Sequence, residues 1–137
     1  MTLIETIQQD PTSLKTMDPE TLTALCAEIR ERIIAVVSQR GGHLASNLGV
    51  VELTVALHVV LDIPSDALIF DVGHQVYTHK ILTGRNDCFD RLRCGGGLLG
   101  FPSPEESPAD PFLTGHAGTA VSSGLGLKIG MTMEKKQ

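Results

Sequence analysis

The sequence has no tryptophan, one tyrosine (Tyr77) and four phenylalanines in 137 residues. A core built from it must therefore be aliphatic. No stretch approaches the roughly 18 consecutive apolar residues of a membrane-spanning helix. The opening ten residues contain Glu5 and no apolar run, which excludes a signal peptide there. Concentrated positive charge is also missing. The formal net charge is -5, with Lys and Arg scattered, which argues against nucleic acid and anionic membranes as partners. Cys26, Cys88 and Cys94 fit neither a CxxC pair nor a zinc pattern. Cys26 falls on an apolar helical stripe and reads as a small core residue; the other two read as unpaired reduced thiols. A cytoplasmic protein is expected.

Glycine, by contrast, is abundant at 14 residues, so many backbone positions need close approach or unusual torsions. The hydrophobic fraction of 42% and charged fraction of 20% suit an ordinary globular protein. The length suffices for one core.

Residues 1–17 read as a polar lead segment, a short helix or extended. Asp18-Pro19 supplies an N-cap followed by proline at the first helical position. Leu22, Leu25, Cys26, Ile29, Ile33, Val36 and Val37 follow at helical spacing, and the helix should end before Gly41-Gly42. Ser46 or Asn47 caps a second, well-buried helix carrying Val50, Leu53, Val55, Leu57, Val60 and Leu61. Residues 67–72 (ALIFDV) form a short apolar run before glycine, the pattern of a buried parallel strand. Helices are expected from about Gln75 to Leu82 and from Asp87 to Arg93. A long loop rich in Gly, Pro and acidic residues occupies about 94–115, a length typical of functional or disordered segments. A last helix from Gly118 to Met133 carries small residues suited to close packing. Helices with one strand indicate an α/β class, although one strand does not make a sheet.

Three loops pair glycine with histidine: Gly42-His43, Gly73-His74 and Gly115-His116. Glycine lets backbone N–H groups approach an anion, while histidine donates hydrogen bonds or moves protons. Gly73-His74 is the best placed, since it follows the expected strand and ligands of open α/β sheets bind beyond strand ends. The helix after His116 adds the positive end of its dipole. Any one Gly-His pair is more often an accident of loop composition than a site; three in so short a chain weaken that view. His58 and His79 read as structural residues of helices. From the residues alone, the chain is a candidate anion-binding α/β fragment.

At these residues the sequence closely resembles the 1-deoxy-D-xylulose-5-phosphate synthases. The shared motifs are GGHLASNLGVVELTVALH (Gly41 to His58), FDVGHQ (Phe70 to Gln75), HKILTGR (His79 to Arg85) and the GH followed by small residues from Gly115. Transketolases share a shorter related pattern. The resemblance implies an incomplete amino-terminal part of a transketolase-like, doubly wound module that binds thiamine diphosphate, here residues 18–137. It implies a transferase that joins pyruvate to glyceraldehyde 3-phosphate with loss of carbon dioxide, feeding isoprenoid and thiamine biosynthesis. By the same resemblance, His74, Gly115, His116 and Ala117 contact the cofactor, His43 faces the reacting carbon, and Ser46 and His79 are weaker candidates. Ala117 stands where many relatives have serine, so a contact there must come from backbone. The complete enzyme is expected to be a homodimer, and the 94–115 loop to be mobile near the active site.

Two departures matter. Thr78 stands where the family usually has proline, which is expected to loosen that helix start. The family's GDG motif, whose Asp and a later Asn hold magnesium, is not found, nor is the glutamate that activates the cofactor. The resemblance thus implies thiamine diphosphate and magnesium as cofactors, with the metal ligands outside this sequence and no competence alone. One chain of a split enzyme, or a non-catalytic interaction domain derived from one, are the alternatives. An incomplete sheet with open edges is expected to aggregate or oligomerise.

Overall fold

In the computed structural model, which describes residues 1–135, the organising element is helix α2, Pro19–Arg40. The Asp18 side chain accepts from the Thr21 N–H at its start, and Gly41 closes it at φ 73°, a left-handed region open to glycine at little cost. Its stripe of Leu25, Cys26, Ile29, Ile33, Val36 and Val37 is buried. Each such aliphatic side chain contributes about 1.5–3 kcal/mol relative to exposure.

Around this helix pack α1 (Leu3–Gln9), α3 (Leu44–Leu48), α4 (Val51–Val60) and α5 (Tyr77–Lys80). The first seventeen residues join the same core. A capping box between Thr2 and Glu5 starts α1, and Ile4, Ile7 and Leu14 are buried beside α2. The single helix expected after Ser46 or Asn47 is two helices. Gly49 ends α3 and Val50 leaves helical geometry before α4 begins. From α5 the chain runs through an irregular turn, where Gly84 sits at φ 82°, into a 3-10 turn over Asn86–Arg91.

The expected strand is corrected. Among the described residues there is no β-strand, and the α/β doubly wound arrangement is not seen in this helical structure. Residues 67–70 have no ladder partner, and Leu68, Ile69 and Phe70 are only half-buried. An apolar run of strand length becomes a strand only when a neighbouring strand takes its backbone groups.

The last helix, α6 (Ala120–Glu134), buries no side chain. Val121, Leu125, Ile129 and Met133 stand exposed, and they form the apolar surface that self-association would cover.

At α5 the Thr78 side chain is fully buried with its hydroxyl unpartnered. Thr78→Val keeps the shape and removes that unsatisfied group, so it is expected to stabilise the chain by about 1 kcal/mol in urea denaturation.

Candidate functional site

Two of the three Gly-His loops meet through their rings. His43 and His74 stack with centroids 4.1 Å apart and planes inclined by 24°. His43 precedes α3, and His74 lies in the one-turn 3-10 helix Gly73–Gln75. His43 is exposed and His74 half-buried. Burial, then the neighbouring His43, lowers the His74 pKa, which keeps that imidazole neutral near pH 7 with one donor and one acceptor nitrogen.

What holds the two loops together is Asn47, which is fully buried. Its side-chain amide donates to the His43 carbonyl at 2.6 Å and to the His74 carbonyl at 2.8 Å. Its oxygen accepts the Tyr77 backbone N–H at 3.1 Å. Gln75 adds a bond from Nε2 to the Ser46 carbonyl. Asn47→Ala strands two carbonyls and one N–H, so a loss of about 2 kcal/mol is expected. The stacked rings should separate with it, read as altered titration of His74 by NMR.

The third loop joins through backbone. The Gly73 N–H donates to the Gly115 carbonyl at 3.1 Å, and the Thr114 hydroxyl donates to the Phe70 carbonyl. His116 and Ala117 are exposed beside this junction. Asp71 then fixes the start of α6 by accepting the N–H groups of Gly118 (2.9 Å) and Ala120 (3.1 Å). These bonds hold the Asp71 carboxyl below its ordinary pKa. The helix dipole expected to serve His116 is therefore already answered by a carboxylate of this chain.

His79 lies elsewhere. It points inward, fully buried, in a network the sequence reading missed. Its Nε2 meets Asp110 Oδ1 at 3.0 Å and its Nδ1 meets His58 Nε2 at 2.9 Å. Arg85 clamps Asp110 with two nitrogens, Nη1 at 2.6 Å and Nη2 at 2.9 Å, and the Ser103 N–H adds a fourth donor at 2.7 Å. Buried Lys80 pairs with Glu106. The long loop is thus bonded to the core at Ser103, Glu106 and Asp110. Burial alone would raise the Asp110 pKa, but the bonds from His79, Arg85 and Ser103 outweigh it and hold it well below the carboxylate range. Asn47 and Asp71 lay inside motifs already singled out. Asp110 lay in the long loop, where no single residue stood out.

No helix among the described residues is long and apolar enough to cross a membrane. The family model described as 1-deoxy-D-xylulose-5-phosphate synthase matches residues 4–137. Proteins called 1-deoxy-D-xylulose-5-phosphate synthase are similar throughout. That of Carboxydothermus hydrogenoformans is 53% identical over 127 residues, covering 93% of this chain and 20% of its own length. That of Rhodobacter capsulatus is 57% identical over 120 residues, covering 88% and 19%. That of Chlamydia muridarum is 58% identical over 118 residues, covering 85% and 19%. The chain thus spans about a fifth of the length of the curated relatives it matches. With the GGHLASN, VGHQ and TGHA segments gathered at one place and this likeness along nearly the whole chain, the protein belongs to the 1-deoxy-D-xylulose-5-phosphate synthase family.

Proposed function

We propose that the stacked His43–His74 pair and the Gly115-His116-Ala117 segment form one wall of a thiamine diphosphate site. The reaction is the decarboxylating condensation of pyruvate with glyceraldehyde 3-phosphate, carried out by a longer, homodimeric protein. The observation that carries this reading is the meeting of three Gly-His loops, with two rings at 4.1 Å and a backbone bond from Gly73 to Gly115.

The residues present fit the cofactor. A side chain at Gly115 or Gly118 would meet nothing within 4 Å, so the segment on either side of His116 is open to an approaching group. His74, kept neutral, offers a hydrogen-bond donor to a diphosphate oxygen, and Ala117 can offer only backbone. His43, the more exposed ring, is suited to hold or move a proton at the substrate oxygen. Asn47 fixes the distance between these two tasks. Bound there, thiamine diphosphate supplies the electron sink for decarboxylation. Magnesium differs: among the described residues no three His, Cys, Asp or Glu side chains converge to hold a metal ion. In this reading its protein ligands lie outside them.

The test is calorimetric titration of the purified chain with thiamine diphosphate and magnesium, beside His74→Ala. Binding that His74→Ala abolishes supports a preformed wall. Binding that survives the substitution sinks the role given to His74, and no binding to either means that this wall holds the cofactor only together with the rest of the longer protein.

A further inference from the structure

The buried histidine pair leads away from the stacked rings to a second place. Asp110 is ionised and has no proton to give, so His79 Nε2 carries the hydrogen of their 3.0 Å bond. A neutral His79 then presents Nδ1 as an acceptor, and the 2.9 Å contact requires the hydrogen to sit on His58 Nε2. The relay thereby fixes the tautomer of His58 and leaves its Nδ1 a bare acceptor. Burial, with His79 and Arg85 nearby, pushes the His58 pKa down to about 3, so that lone pair persists at neutral pH. His58 is only 8% exposed, and among the described residues nothing donates to its Nδ1.

His58 lines a cavity of about 440 Å³ whose walls include Leu14, Leu61, Ile63, Leu82 and Pro108. Lys15 and Asp62 also line it, and they pair with each other, so their charges cancel and attract no ion. Thr12, Ser65, Thr83 and Ser107 complete the polar part of the lining, and this volume, with apolar walls and a few polar groups, is the usual make-up of a small-molecule site. We propose that this cavity binds a neutral, largely apolar molecule through one hydroxyl group donated to His58 Nδ1. It shares no residue with the stacked-ring site and stands whether or not that site holds thiamine diphosphate.

The test uses p-cresol and toluene, which differ by one hydroxyl, with benzoate as the anionic comparison, in saturation-transfer NMR on the 137-residue chain. Toluene is the more apolar, so an indifferent cavity would favour it. The expected result is p-cresol binding about tenfold tighter than toluene, since a site built around a polar atom rejects the analogue that cannot pair with it. Ser65→Trp, at an exposed position of the lining, should close the cavity and abolish binding of both. His58→Phe should reverse the preference. Toluene binding as well as p-cresol, benzoate binding tighter than either, no binding of p-cresol, or binding untouched by Ser65→Trp would each overturn the proposal. Should His58→Phe fail to fold, the wild-type comparison and Ser65→Trp decide it.

Discussion

Asp110→Ala is expected to cost about 3–5 kcal/mol, because it leaves the Arg85 guanidinium buried without its main counter-charge. Arg85 is 7% exposed, with two nitrogens on that carboxylate. Glu106 remains, at 3.3 Å from Nη1, but Lys80 already holds it. Urea denaturation measures the loss. The double variant Asp110→Asn/Arg85→Gln removes the orphaned charge along with its partner and should recover a good part of it. Equal losses in single and double variants would mean that packing, not charge, is at stake. The same network fixes the response to acid. His58 and His79 have lowered pKa values, chiefly through burial, so between pH 6.5 and the folded values the unfolded chain binds more protons. Stability is therefore full above about pH 6.5 and falls as pH drops through that range. Asp110, lowered as well, extends the loss below pH 4. In Asp110→Asn the part below pH 4 should flatten.

Gly73→Ala is expected to be nearly as damaging, and its damage should fall on the site. A β-carbon there would lie 2.0 Å from the Thr114 carbonyl oxygen and 2.7 Å from its carbon. Backbone cannot yield as a side-chain tip can. The two segments must part, and with them the Gly73–Gly115 bond. A loss on the order of 3 kcal/mol is expected, seen as a fall in Tm of about 10 °C. Gly115→Ala is the control, because its β-carbon would meet open space. If both alanines behave alike, the close approach of residues 73 and 114 is not what holds the loops.

The contrast between these variants shows what was legible in the sequence. Helix α2 was legible to the residue, since Asp18-Pro19, the apolar period and Gly41 are local signals that agree. The Gly-His loops were legible as candidates because three of them recur in so short a chain, where any one alone reads as loop composition. The sequence showed neither that Gly73 was needed for contact with Thr114 nor that Asn47 spans two loops. Both depend on residues 27 or more positions away. The strand over 67–72 misled for the same reason: its apolar run is local, but the partner that would make it a strand is not. Asp110 was the least visible, because nothing local marks a carboxylate among Gly and Pro until Arg85 and His79 are brought to it.

The capping of α6 by Asp71 has a consequence for hydrogen exchange. A helix of 15 residues with glycines at 124, 126 and 130 and no buried side chain is marginal in water. What ties it to the rest is the Asp71 carboxylate, with Ile69 near enough that a β-carbon on Gly124 would lie 3.7 Å from it. Its amides should therefore exchange through local fraying, while those of α2 wait for global unfolding. The chain then has two clocks, one set by a single carboxylate and one by the aliphatic core.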